Sequence, residues 1–247
     1  MPSEPADWPR IRTIGVDGFL VSFADTLSEP ANRAALALRA ALDRAGLRGV
    51  EETATSLTST YLRFDLGAVD HATLHSALSD LLEAQDWYSA ALPDGRRHWV
   101  VPAVFGTELA PQLHETAALV DLSPEAAIDA ICAQPLRVQT IGFAPGQPYL
   151  GQLPEAWDIP RQTDLTPKVP EGALVVAIRQ VVLFSVTTPT GWRHIGQTAL
   201  RLFRPDEQEP FLLHPGDEVT FEAVSREAYE RIKAEDPLGG ATSRRLA

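Results

Sequence analysis

The sequence predicts an α+β module followed by a mostly antiparallel β-barrel or sandwich. Three observations carry this. Up to about residue 90 the apolar pattern runs strand, strand, helix, strand, strand, helix. From residue 134 onward short apolar strands alternate with turns. Between the two regions lies ALPDGRR, 91–97, a turn-rich break. The expected domains are therefore 1–92 and 98–236, with 237–247 as a disordered tail.

The elements follow in order. MPSEPADWPR, 1–10, is polar and proline-bearing and reads as a loose lead-in. IRTIGVDGFLVSFA, 11–24, gives two short strands around the Asp17-Gly18 turn signal. A helix follows, with Ser28 as cap and Pro30 in a first turn that needs no N–H from it. Ala35, Leu36, Leu38, Ala41 and Leu42 mark its apolar face, and Gly46 or Gly49 stops it. TATSLTS (53–59) and TYLRFDL (60–66) read as strands. In the latter Leu62, Phe64 and Leu66 alternate with Tyr61, Arg63 and Asp65. A second helix starts near Asp70, with Leu74, Leu78, Leu81 and Leu82 on one face. One sheet with helices on one face accommodates this order.

HWVVPAVFG, 98–106, reads as the strand that enters the second domain. A helical pair follows, LAPQLHETAAL and SPEAAIDAICA, the latter capped by Ser123 and opened by Pro124. IGFAPGQPYLGQLP, 141–154, predicts a rigid loop: its prolines and glycines exclude a regular helix or a central strand, and its aromatics exclude a flexible linker. RVQTIGF, GALVVAIRQVVLFSV, WRHIGQTALRLF and EPFLLHPGDEVTFEAV supply the strands, with HPGDEV as a tight turn between two of them. AYERIKAED, 228–236, reads as a short terminal helix.

Composition excludes several functions. The chain has 247 residues and a net charge of −12, with its cations scattered. Nucleic acid and anionic membrane surfaces demand clustered Lys and Arg. Cys132 is the only cysteine, so no internal disulfide forms, which fits a reducing compartment. No Cys/His spacing reads as a metal site, no apolar signal region opens the chain, and no apolar run approaches the ~20 residues of a membrane span. A cytoplasmic protein is expected.

IGFAPGQPYLG resembles the GF-x-PGFPYLG signature of the B-subunit family of 5-oxoprolinases. These are also called allophanate-hydrolase-subunit-1-like or Kip-type proteins and carry the carboxyltransferase C-D domain. The resemblance continues, in order, through PRQTDLTPKVPEGALVVA, TPTGWRHIGQTALRLFRP and HPGDEVTFEAV, and upstream through STYLRFDLGAVD. Nearly the whole chain is covered. The resemblance implies that the barrel is cyclophilin-like. It implies one component of an ATP-dependent 5-oxoprolinase, which opens the lactam of 5-oxoproline to glutamate. The partners implied are a carboxyltransferase-like C-type protein and a third, A-type protein of the same enzyme. ATP belongs to that complex. Some family members inhibit a histidine kinase, so a non-catalytic regulatory module is the alternative.

The chain is a divergent member. Gln147 stands where the signature has Phe, and Leu165-Thr166 replaces a second Pro-Arg, with Lys168 near enough to supply charge. The family's GGQTGIYP turn becomes IRQVVLFSV, 178–186, in which Gln180 survives while Ile178 and Arg179 replace glycines. Ala199 replaces a proline, and the ICA stretch at 131–133 lies where a histidine is usual. All these departures are expected in loops.

The candidate substrate-binding residues are Phe143, Pro145, Gly146, Pro148, Tyr149, Arg161, Lys168 and Gln180. The 143–150 loop reads as a rigid cleft wall or, equally, as a plug of the barrel end. Arg161 and Lys168 suit an anionic substrate, Arg161 in bidentate fashion; the competing reading is a solvated surface cation. Gln180 suits a carbonyl or carboxylate, against a side chain that ties down its own turn. The loop, Arg161 and Gln180 are expected to converge at the barrel mouth. Trp192 reads as a packing residue, His194 as structural or exposed, and Cys132 as no nucleophile. No Ser/His/Asp order and no phosphate-cradling glycine loop is present, so no catalytic residue is assigned.

Overall fold

Five antiparallel residue pairs join β1 (Arg10–Ile14) to β2 (Gly18–Ser22). The computed structural model describes residues 8–246; most of the expected lead-in, 1–7, lies outside them. In α1 (Glu29–Ala45) the Ser28 hydroxyl accepts the Ala31 N–H at 3.3 Å, Pro30 sits in the first turn, and Gly46 ends the helix. Next come β3 (Val50–Thr55), β4 (Ser59–Phe64) and α2 (His71–Glu83), where the Asp70 carboxylate accepts the Thr73 N–H at 2.7 Å. The sheet order is β1-β2-β4-β3. Phe19, Val21, Leu62 and Phe64 from the sheet pack on Leu38 and Leu78 from the helices. The strand expected at 53–59 lies at 50–55. It is an edge strand, so Glu51 and Glu52 reach water and pair with Arg63, and the apolar alternation that would mark it is absent.

The chain divides after Pro93 into a second unit. It opens with β5 (Arg97–Phe105), then α3 (Leu113–Leu119) and α4 (Pro124–Cys132), with Ser123 capping α4. The strands β6 (Leu136–Ile141), β7 (Pro148–Gly151), β8 (Thr166–Val169), β9 (Ala173–Ala177), β10 (Gln180–Leu183), β11 (Thr188–Thr190), β12 (Arg193–Thr198) and β13 (Glu218–Ala223) follow. The last elements are α5 (Arg226–Glu235) and β14 (Thr242–Arg245). The order β12-β9-β10-β7-β6-β13-β5 closes because β5 pairs with β12, giving a seven-stranded barrel in which only β13–β5 is parallel. The fold is thus an α+β module followed by a mostly antiparallel barrel. β8 and β11 form a separate two-stranded sheet.

Alternation along the strands separates two faces. Val101, Val138, Leu150, Val176, Val181 and Ile195, one set from successive strands, fill the interior. Their neighbours Tyr149, Val175, Ala177, Val182 and Phe184 point outward and form a second cluster with Val169 and Trp192. This outer patch borders the candidate site.

Four expectations need correction. PYLG, read as loop, is the barrel strand β7, paired to β6 and β10. Pro148 is tolerated because it is the first residue of a short strand. The tail expected to be disordered instead pairs Thr242–Arg245 with Val100–Arg97 of β5. β12 occupies only Ala103–Phe105 on that edge, so the remaining N–H and C=O groups bond the tail. Before HPGDEV, only an isolated bridge between Phe203 and Phe211 forms, not a strand. Finally, the departures from the family pattern are not confined to loops: Thr166 opens β8, and Ile131 and Cys132 belong to α4.

Candidate functional site

The 142–147 loop is held by short-range bonds and by one close approach. Gly142 N–H donates to Gln147 O at 3.0 Å, and Gln147 N–H to Ala144 O at 3.1 Å. Gly146 has φ 71°, and a Cβ there would lie 3.0 Å from the Leu202 carbonyl oxygen. Glycine is required on both counts. The tip carries Phe143, left-handed at φ 71° and 73% exposed.

A second segment faces this loop. Gln162 N–H donates to Gly191 O at 2.7 Å, and a Cβ on Gly191 would lie 3.1 Å from Gln162 O, so the glycine admits the segment. The Gln162 amide reaches Trp192 O at 3.1 Å and accepts from Gln112 at 2.7 Å. Arg161 is thereby placed with its guanidinium 5.1 Å from the Trp192 ring centroid. Trp192 meets Tyr149 edge-on at 6.1 Å.

Between them lies a cavity of about 260 Å³ on the outer wall of the barrel, not at its mouth. Phe143, Gln147, Tyr149, Arg161, Thr190 and Trp192 are among its lining residues. Arg161 forms no ion pair among the described residues. None of the lining residues is a carboxylate, histidine or cysteine. The arrangement offers one cation, amides, the hydroxyls of Tyr149 and Thr190, and aromatic walls. It can hold an anion with a flat apolar body, and it contains no group that moves protons near neutrality.

The structure brings Phe143, Tyr149 and Arg161 to this cavity. Gly146 and Pro148 shape the loop and strand behind it, Pro145 is exposed, and Lys168 is exposed on β8. Gln180 does not line the cavity. It is buried and donates from Nε2 to Gln139 Oε1 at 2.8 Å, linking β10 to β6 across Gly151 of β7. Gln147 and Trp192 are lining residues that sequence reasoning did not assign. Their signals were a polar substitution inside an otherwise apolar signature and a Trp directly after Gly191.

Other reactive groups lie elsewhere. His194 is buried on β12, its Nε2 has no hydrogen-bond partner among the described residues, and burial holds its pKa below the usual imidazole value. Burial also pushes the Cys132 thiol up to about 11, so it stays protonated and unreactive at neutral pH. Among the described residues no group of three His, Cys, Asp or Glu is placed to hold a metal, and no helix is long and apolar enough to cross a membrane. A larger cavity of about 620 Å³ borders Gly172 and Tyr229, but there Arg201 already faces Glu171 at 3.9 Å.

The family model for the carboxyltransferase domain, subdomain C and D, matches residues 9–213. The chain is 31% identical over 233 residues to the 5-oxoprolinase B subunit of Bacillus subtilis, covering 92% of this chain and 97% of that protein. It is 37% identical over 147 residues to the 5-oxoprolinase B subunit of Escherichia coli O157:H7, covering 59% and 67%. Among solved structures, TTHA0988 superposes with a TM-score of 0.70 at 31% identity, over 87% of this chain and 40% of that one, so the chain spans well under half of that protein. PH0987 from Pyrococcus horikoshii gives 0.51 at 26% identity, over 88% and 99%. The Kluyveromyces lactis urea carboxylase gives 0.69 at 16%, over 100% and 25%, a likeness of fold.

Proposed function

The chain belongs to the carboxyltransferase subdomain C and D family, and on that premise we propose that it is the B component of a 5-oxoprolinase-type hydrolase. In this reading it binds 5-oxoproline, and the C-type and A-type proteins complete the enzyme. The observation that carries it is the Arg161 guanidinium, stacked near Trp192 and without an ion pair among the described residues, in a cavity with aromatic walls and no proton-transfer group. Arg161 pairs with the substrate carboxylate, and Tyr149 and Trp192 cover the ring. The prolines around the 143–148 loop hold one wall in place before binding, which lowers the ordering cost. Lactam opening needs a base and the phosphoryl chemistry of ATP, both supplied by the partners. This chain therefore contributes half of a shared site.

Co-expression with the two partners tests this. The complex should convert 5-oxoproline to glutamate with ATP, and the chain alone should not. Arg161→Ala should abolish turnover in the complex while leaving thermal stability nearly unchanged, as expected for an exposed cation. The same base-free lining also suits a non-catalytic binding or regulatory module. A wild-type complex that assembles and shows no turnover would favour that second reading.

A further inference from the structure

The Gln147 side chain raises a question that packing does not answer. The residue is 1% exposed, yet it lines the cavity. Its orientation is fixed by donor chemistry: the Ser185 backbone N–H, 3.4 Å away, can only donate, so the oxygen Oε1 faces it. The Nε2 end then points away from Ser185. It has no hydrogen-bond partner among the described residues. The orphan atoms Ser185 Oγ and His194 Nε2 are sealed from water, whereas Gln147 Nε2 is not among the sealed atoms. A nearly buried amide thus has two N–H donors without a hydrogen-bond partner among the described residues, on a residue that lines the cavity holding Arg161. Buried donors are paired in folded proteins, so a donor left open to a cavity points to an acceptor supplied from outside.

Resting on the reading of this cavity as the substrate site, we propose that Gln147 is a specificity-determining residue that donates from Nε2 to the carbonyl oxygen of a bound cyclic amide. Arg161 then takes the carboxylate and Gln147 the lactam oxygen, a two-point recognition within one chain. The role expected of Gln180 falls to Gln147, because the Gln180 amide is committed to Gln139. A site built to hydrogen-bond a substrate oxygen rejects an analogue that lacks it, since its own donor is then left unpaired.

The test uses the full chain and two probes, 5-oxoproline and cyclopentanecarboxylate. The latter keeps the ring and carboxylate and lacks the lactam. Calorimetry on the wild type should show 5-oxoproline binding roughly tenfold more tightly, as one hydrogen bond to a buried donor provides. In Gln147→Leu the two affinities should converge, while in Arg161→Ala both should fall together. If Gln147→Leu does not fold, the wild-type protein decides by NMR: the Gln147 side-chain NH2 resonances should shift with 5-oxoproline and stay fixed with cyclopentanecarboxylate. Equal shifts with both probes, or a preference that survives Gln147→Leu, overturn the role of Gln147 and leave the cavity reading intact. Failure of both probes to bind the wild type overturns the cavity reading and this proposal with it.

Discussion

Ile178 and Arg179 form the two-residue turn between β9 and β10 with φ of 45° and 62°. Both are left-handed, as hairpin turns of this type require, and a β-branched residue is ill suited to that region. Backbone bonds impose the conformation: Ile178 N–H donates to Ile159 O at 2.8 Å and Arg179 N–H to Trp157 O at 3.0 Å. Ile178 is 42% exposed, so little burial offsets its strain. Ile178→Asn should raise stability by about 0.5–1 kcal/mol in chemical denaturation, because Asn tolerates the left-handed region. Gly146→Val should do the reverse, costing roughly 2 kcal/mol or more. Its Cβ would press on the Leu202 carbonyl in a conformation closed to Val. A Val variant with wild-type stability would show that the loop yields.

At the scale of elements, β14 has a role that its polar sequence hides. TSRR is exposed throughout, yet its backbone pairs with Arg97–Val100 of β5. Removing 242–247 should uncover that edge and promote self-association, visible as a rise in mass by light scattering. A truncated chain with no greater association than the full chain would argue against edge protection. The cap of α4 is an independent test: the Ser123 hydroxyl accepts the Ala126 N–H at 3.2 Å, and Ser123→Ala should cost about 1 kcal/mol by denaturant titration.

The molecule as a whole should lose stability on mild acidification. Burial holds the His194 imidazole below its ordinary pKa of 6.5, so the folded state favours the neutral ring. The unfolded chain takes up this proton first as pH falls, and the folded state resists it. The stability tied to the neutral ring is complete above the unfolded value and is lost as pH drops below it toward the folded pKa. Melting temperatures between pH 7.5 and 5 should fall, and His194→Gln should flatten that slope.

The pattern of the chain determined much of this protein. Caps at Ser28, Asp70 and Ser123 lie at helix starts because a side-chain acceptor three residues ahead of a free N–H is a local matter. The change from helical to strand rhythm near residue 134 marked the barrel for the same reason. Arg161 and Tyr149, which line the cavity, were legible as candidates through the resemblance of their motifs. Only the tertiary structure decided the rest. A strand as short as Pro148–Gly151 exists because β6 and β10 flank it, and the tail is a strand because β5 offers an unfilled edge. Whether an amide is spent or available is likewise a question of neighbours distant in sequence. The Gln180 amide meets Gln139 across Gly151, whereas Gln147 accepts the Ser185 N–H with its oxygen and lines the cavity.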